Sequence, residues 1–165
     1  MGSYYYGKED VCSWIRQYYR RDARILDVGA CDGNWRRLLP EYPNMDAVEA
    51  YGPNLGLLHG YRAVYHADIR DFAYSAYDLI ILGDIIEHLT VPDAQKVLTY
   101  AAERCSDMVV AVPFLYHQGA IYGNPFEVHI QDDLTAENFA VRYPELEILL
   151  DTGHNYCYYH KRTEP

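Results

Sequence analysis

The sequence predicts an α/β fold, a sandwich built on a mostly parallel sheet. Three observations carry that prediction. Short apolar runs alternate with helix-like stretches along the chain, the order in which a parallel sheet and its crossovers are laid down. One run, Tyr77-Asp78-Leu79-Ile80-Ile81-Leu82, is nearly continuous in apolar residues, as in strands buried on both faces. The segment Ile25-Leu26-Asp27-Val28-Gly29-Ala30-Cys31-Asp32-Gly33 reads as a buried strand, a tight glycine turn and a helix start. At 165 residues the chain is expected to form one domain with a sizeable core.

The elements follow in order. Asp10 to Tyr19 reads as an amphipathic helix, with Val11, Trp14, Ile15 and Tyr18 on one face. Arg24 to Val28 is the first strand, and Asn34 to Leu39 a helix closed by Pro40. Met45 to Glu49 is a second strand, Pro53 to Leu58 a short helix stopped by Gly60, and Arg62 to His66 a third strand. After the apolar run at 77–82, Thr90 looks like an N-cap with Pro92 just inside the helix. Val91, Ala94, Val97, Leu98, Ala101, Ala102 and Cys105 form its buried stripe. Met108 to Val112 is a fifth strand, ended by Pro113. The loop from Phe114 to Leu134 is long enough to be a functional lid. Thr135 caps another helix, and Leu146 to Leu150 with Asn155 to Lys161 make a final strand pair.

Composition excludes several classes. The formal net charge of -10 argues against nucleic acid as a partner, because phosphate neutralisation needs clustered Lys and Arg. Arg16, Arg20, Arg21 and Arg24, with Arg36 and Arg37, are a local exception. They read either as a solvated helix face or as an edge that receives an anionic substrate. Cys12, Cys31, Cys105 and Cys157 are scattered without a CxxC pair, which disfavours a zinc ribbon and fits a reducing, cytoplasmic setting. No apolar run approaches a membrane span, and no signal-peptide pattern is present. Eighteen tyrosines, clustered at Tyr4-Tyr5-Tyr6, Tyr18-Tyr19 and Tyr156 to Tyr159, serve aromatic packing or a stacking wall around a flat ligand.

Twenty residues after Gly29 comes Glu49, at the end of a second apolar run. A strand, glycine turn and helix followed by an acid at that distance is the layout of a nucleotide-type ribose site. A nicotinamide fingerprint wants G-x-G-x-x-G, and Gly29-Ala30-Cys31-Asp32-Gly33 lacks the second glycine that lets backbone approach a pyrophosphate.

Four segments in order resemble the motifs of the class I S-adenosylmethionine-dependent methyltransferases. They are Ile25 to Gly33, Val48-Glu49, Ala67-Asp68-Ile69 and Tyr77-Asp78-Leu79-Ile80-Ile81. The resemblance covers residues 24 to 113 and, more loosely, the whole chain. Cys31 stands where the commonest pattern has a middle glycine. The resemblance implies a three-layer Rossmann-like sandwich with a seven-stranded, mostly parallel sheet whose last strand is antiparallel. It implies S-adenosyl-L-methionine as cofactor and S-adenosyl-L-homocysteine as product. Asp27 and the backbone of Gly29, Ala30, Cys31 and Gly33 would face the amino-acid part of the donor. Glu49 and Ala50 would meet the ribose, Asp68 and Ile69 the adenine, and Gly83 the sulfonium. Taken singly, Asp27 reads equally well as a strand-end acid capping the next turn, and Asp68 as a solvated loop acid.

Chemistry is expected after the fourth strand, at Asp84-Ile85-Ile86-Glu87-His88, because reacting groups sit at the carboxyl ends of strands in such folds. With His129 added, this set resembles the metal site of small-RNA 2′-O-methyltransferases and of some ubiquinone-pathway O-methyltransferases. Asp84, Glu87 and His88, at i, i+3 and i+4, would converge on one helical face with His129 as ligands of a divalent ion. Otherwise Glu87-His88 is structural, and His88, His117 or His129 is a general base. The amino-methyltransferase signature of Asp or Asn, Pro-Pro and an aromatic is missing after the fourth strand, which tilts the acceptor towards oxygen. The expectation is a methyltransferase acting on a small-molecule acceptor as a monomer or homodimer. The helix at 9–20 and the loop at 114–134 would cover its substrate. The rivals are a non-catalytic S-adenosylmethionine-binding subunit, a metal-dependent RNA 2′-O-methyltransferase, and a nicotinamide oxidoreductase.

Overall fold

Apolar side chains alternate between the two faces of the central strands, and each face is covered by helices. The computed structural model describes residues 5–161. Tyr4, first of the N-terminal tyrosine cluster, lies outside that range. The strands are β1 (Ile25–Val28), β2 (Met45–Glu49), β3 (Ala63–His66), β4 (Tyr77–Gly83), β5 (Cys105–Pro113), β6 (Leu146–Asp151) and β7 (Tyr156–Lys161). The helices are α1 (Lys8–Tyr18), α2 (Asn34–Leu38), α3 (Val91–Ala102) and α4 (Ala136–Arg142). Short 3-10 turns occupy Gly52–Leu57, Ile86–His88 and Pro125–Glu127.

One sheet holds all seven strands in the order β3-β2-β1-β4-β5-β7-β6. Six are parallel. The last, β7, runs antiparallel to both neighbours and sits between β5 and β6. The predicted α/β class and the antiparallel last strand are both present. Leu26, Val28, Ile80, Leu82, Met108 and Val110 pack on one face with α3 and α4. Ile25, Leu79, Ile81, Val109 and Ala111 pack on the other with α1 and Trp35. Because successive side chains alternate, Asp27 shares the Ile25 face, as does Gly83 with Leu79 and Ile81.

Local signals account for most element ends. Thr90 accepts from the Asp93 N–H at 3.3 Å and caps α3, a bond worth about 1 kcal/mol to the helix. Thr135 and Asn138 form a reciprocal capping box at α4. The first helix begins earlier than its periodicity predicts, because Gly7 takes a left-handed conformation (φ 72) and Lys8 turns inward. The helix expected at Pro53 to Leu58 is a 3-10 turn instead, and it contains two glycines. No helix among the described residues is long and apolar enough to cross a membrane. All four cysteines are free.

Candidate active site

The strand order changes direction at β1 and β4, where the chain leaves one half of the sheet to build the other. A crevice opens at such a point, outside the carboxyl ends of the strands. Here it is a cleft of about 800 Å³. The turn after β1, the ends of β2 and β4, residues 67–70, the N-terminal segment and the 114–134 loop all contribute to its walls.

The turn after β1 is tight. Gly29 and Ala30 both donate to the Val48 carbonyl, at 2.8 and 3.3 Å. Gly29 has φ 66, a conformation that L side chains rarely adopt, and a Cβ built there would lie 2.2 Å from Cδ1 of Ile85 and displace that methyl, so a larger residue would be strained. Cys31 also takes a positive φ of 52, which turns its N–H towards Glu49. Burial pushes the Cys31 thiol up to about 11, so it is a space-filler and no nucleophile.

Glu49 is 6% exposed and forms part of the floor. One of its oxygens accepts from the Cys31 N–H at 2.8 Å, the other from the Tyr51 N–H at 2.7 Å. A carboxylate has about four acceptor positions, so each oxygen keeps capacity for a ligand. Asp68 also lines the cleft, but Arg70 grips it from the same loop at 2.5 to 3.1 Å. That guanidinium holds the Asp68 carboxyl below the usual range. Ile69, Ala50, Ala30, Cys31 and Gly83 are walls as well. Gly83 is required for close approach, since a Cβ there would lie 2.8 Å from Nε1 of Trp35.

Asp27 lies elsewhere than its motif suggested. Its side chain is 1% exposed, lies outside the cleft walls and accepts from the Tyr61 hydroxyl at 2.5 Å. The physical reason is strand alternation, which turns Asp27 beneath the glycine turn. Burial pushes its carboxyl up to about 7, against the pull of Tyr61 and Lys8.

Asp84, Glu87 and His88 do not share a helical face. Asp84 has a left-handed backbone (φ 56), and only Ile86–His88 forms a turn, of 3-10 type. Asp84 instead accepts from the Tyr156 hydroxyl at 2.8 Å, and its other oxygen is buried without a partner. Glu87, His88 and His129 do converge, each offering one ligand atom within 4.8 Å of the others. Glu87 is 1% exposed, and neither of its carboxylate oxygens has a hydrogen-bond partner. Burial, together with Asp84, raises its pKa well above the ordinary value. Burial works the other way on the imidazoles, lowering His88 to about 4 and also lowering His129. Both rings are therefore neutral at pH 7. Nδ1 of His88 lies 3.1 Å from the Val128 carbonyl, and Nδ1 of His129 2.7 Å from the Tyr116 carbonyl. A carbonyl only accepts, so each ring donates through Nδ1 and keeps a lone pair on Nε2. Metal-binding histidines are commonly oriented in this way, with one ring N–H held by a carbonyl and the other nitrogen free. The donor set, one carboxylate and two imidazoles, suits a divalent transition metal.

Residues 130 and 131 both donate to the Glu87 carbonyl, at 2.8 and 2.9 Å, and so bring His129 to Glu87. The buried Gln131 side chain adds bonds to the Ile86 and Leu89 carbonyls at 2.8 and 3.0 Å. His117 faces solvent and pairs with Asp132 at 2.8 Å. None of Arg16, Arg20, Arg21, Arg24, Arg36 and Arg37 is a cleft wall. Arg16 pairs with Glu41, Arg20 with Asp22 and Arg37 with Asp32, as a solvated face would. Sequence reasoning missed Lys8, Tyr61, Gln131 and Tyr156. Only Tyr156 carried a signal, as part of a tyrosine cluster.

No family model matches this chain, and no curated protein does. Solved structures do. An S-adenosylmethionine-dependent methyltransferase from Clostridium acetobutylicum matches with a TM-score of 0.72 at 12% identity, over 97% of this chain and 91% of that one. An amino pentose methyltransferase from Micromonospora echinaspora, solved with S-adenosylmethionine bound, matches with a TM-score of 0.65 at 16% identity, over 98% and 93%. The magnesium protoporphyrin IX methyltransferase of Synechocystis, with bound S-adenosylhomocysteine, matches with a TM-score of 0.66 at 10% identity, over 94% and 81%. The fold is the class I Rossmann-like methyltransferase fold.

Proposed function

We propose that this protein is an S-adenosylmethionine-dependent methyltransferase acting on a small-molecule acceptor at oxygen. Glu49 is the observation that carries the reading. Its carboxylate is clamped by two backbone N–H groups on the floor of the cleft, one of them from the glycine turn. The two ribose hydroxyls of the donor would each find an acceptor oxygen there. Ile69 and Asp68 would take the adenine, and the Gly29 turn and Gly83 the thioether end. Bound in this way, S-adenosylmethionine would supply an electrophilic methyl group on a good leaving group. What remains for the chain is mostly orientation and exclusion of water. Tyr5 and Tyr6 ahead of α1, and Tyr116, Phe126 and Ile130 from the 114–134 loop, line the same cleft and would cover the acceptor.

The orphaned Glu87 oxygens, beside two neutral imidazoles tethered through Nδ1, favour a metal-assisted version. Glu87, His88 and His129 would hold a divalent ion, with Asp84 nearby. Such an ion would lower the pKa of a bound acceptor hydroxyl. Without it, the free Nε2 of His88 or His129 would accept the acceptor's proton. The net charge, and the position of Arg16, Arg20, Arg21, Arg24, Arg36 and Arg37 outside the cleft walls, favour a small molecule over RNA. The free cysteines fit a cytoplasmic setting.

Calorimetry with S-adenosylmethionine, S-adenosylhomocysteine and NAD tests the donor. Binding of NAD alone would overturn the reading. In the same assay Glu49→Ala should weaken donor binding by at least about 1 kcal/mol, the scale of lost hydrogen bonds to a charged group. Methyl transfer from labelled donor to cell extracts separates an enzyme from a binding subunit. Full activity in chelator, with no metal in the purified protein, would remove the metal.

A further inference from the structure

We propose that the methyl acceptor is an organic cation, a small molecule that bears an ammonium group, and that Glu127 selects for it. The inference rests on the methyltransferase reading above and narrows its acceptor.

Glu127 ends the Pro125–Glu127 turn and is a wall of the cleft. Val128 follows it with an extended backbone (φ -73, ψ 125). Side chains two apart on extended backbone point the same way. Glu127 and His129 are accordingly both cleft walls, whereas Val128 between them is not. Glu127 thus stands two residues from the group of Glu87, His88 and His129, where the acceptor hydroxyl would lose its proton.

Gln118 holds Glu127 in place. Its Nε2 donates to the Glu127 carbonyl at 2.8 Å and to Oε2 of the same residue at 3.2 Å. The Gln118 carbonyl in turn accepts from the His129 N–H at 2.9 Å, so one residue ties Glu127 and His129 together. Among the described residues no donor reaches Oε1 of Glu127, and no lysine, arginine or histidine forms an ion pair with it. A carboxylate fixed through one oxygen can offer the other to a ligand at little entropic cost.

The surroundings favour a cation. Six carboxylates are walls of this cleft, against two basic side chains, Lys8 and Arg70. Arg70 is already paired with Asp68. A cleft lined by one sign of charge draws the opposite sign and repels its own, so a phosphate ester or a carboxylic acid is disfavoured as acceptor. Glu87 makes the same demand independently, being 1% exposed with neither oxygen bonded. A divalent ion on Glu87 would answer that demand and leave Glu127 to the acceptor. Aromatic rings complete the receptor. Tyr116 and Phe126, on the same loop as Glu127, are cleft walls that remain 39% and 41% exposed. The Tyr116 ring lies against His129, with centroids 5.4 Å apart. Ring faces attract an ammonium, most strongly where water is displaced.

Choline and its carbon isostere, in which a quaternary carbon replaces the nitrogen, share a shape and a hydroxyl and differ in charge. Both are titrated by NMR into protein saturated with S-adenosylhomocysteine. Choline should bind about fivefold or more tightly than the isostere. Glu127→Gln can still accept from Gln118; it should bring the two probes within about twofold of each other and leave S-adenosylhomocysteine affinity unchanged. Equal binding of the probes by the wild type, no binding of either at about 50 mM, or a preference that survives Glu127→Gln would each overturn the inference. Labelled donor reads the natural acceptor. Product formed in a cell extract should be retained on a cation exchanger at neutral pH, and product that passes through it would overturn the inference as well. Failure of the wild-type protein to bind S-adenosylhomocysteine would instead overturn the donor assignment.

Discussion

Asp27→Asn isolates the carboxylate beneath the glycine turn. Asp27 is buried, with the Tyr61 hydroxyl on one oxygen, and burial moves its pKa from the ordinary 3.8 to about 7. That displacement, at about 1.4 kcal/mol per pH unit, amounts to about 4 kcal/mol. The sign follows from proton counting. Between pH 3.8 and 7 the folded chain holds a proton on Asp27 that the unfolded chain has released. Folding stability from this group is therefore complete below the unfolded pKa and is lost as pH rises through the folded one. Asparagine cannot ionise and can still accept from Tyr61, so the variant lacks this pH-dependent loss. Its extra N–H adds an offset that does not vary with pH. Urea denaturation of both proteins from pH 4.5 to 8.5 measures the difference. The variant should gain on the wild type with rising pH, by up to about 1.4 kcal/mol per unit, and level off above neutrality. Asp84 and Glu87 titrate in both proteins, so most of their contribution cancels. A difference constant within about 0.5 kcal/mol across the range would show that Asp27 is not desolvated as argued.

Gly29→Ala should destabilise the fold by about 1–3 kcal/mol through its positive φ and abolish tight donor binding, because the new Cβ meets Ile85 at 2.2 Å. Thermal melting and calorimetry check it, and wild-type values in both would refute the steric account. Gln131→Ala removes two bonds to the Ile86 and Leu89 carbonyls and two that its side-chain oxygen accepts, from the Tyr143 hydroxyl and the Arg142 guanidinium. It should cost about 2 kcal/mol and reduce any metal content, because the loop that carries His129 loses its anchor; unchanged stability by urea denaturation would refute the anchoring role.

How much of this was legible in sequence depends on distance along the chain. The β1 turn, the Thr90 and Thr135 caps and the apolar β4 run are local signals, and each appears at or within a residue or two of its expected place. Glu49 was legible because a βαβ unit has a fixed length. The side chain of Asp27 was misdirected because the motif specifies a strand-end acid, while strand alternation decides which face that acid takes. The Asp84-x-x-Glu87-His88 spacing suggested a helical face, but a left-handed residue and a 3-10 turn replaced it. Glu87, His88 and His129 still met, through backbone bonds from residues 130 and 131 to the Glu87 carbonyl. Nothing in the pattern around position 8 indicates a buried lysine. Its burial depends on Gly7 packing against β6 and β7, more than 140 positions away.

The treatment of buried acids separates scaffold from site. Asp46 is as buried as Glu87, yet Arg62 grips it at 2.8 and 2.6 Å and Tyr77 adds a bond at 2.8 Å. Burial works to raise its pKa, and these partners outweigh burial and bring it below the ordinary value. Asp46 therefore stays ionised and ties β2 to Arg62 and Tyr77. Among the described residues, the carboxylate oxygens buried without a partner belong to Asp32, Asp84 and Glu87, and all three line the one cleft. A buried acceptor left unmade costs about 1–3 kcal/mol, more when it is charged. A chain that satisfies Asp46 so fully and leaves oxygens of these three without a partner is less stable than it could be, and among the described carboxylates that deficit lies at the mouth between β1 and β4. Such local exceptions to an otherwise satisfied interior are expected where a ligand completes the bonding. The groups that would do so are donors and cations: an α-ammonium near Asp84 and Asp32, and a divalent ion at Glu87. Ligand and ion should therefore stabilise the fold most where Asp84 and Glu87 are ionised, above neutral pH, and least in acid, where protonation already removes their charge.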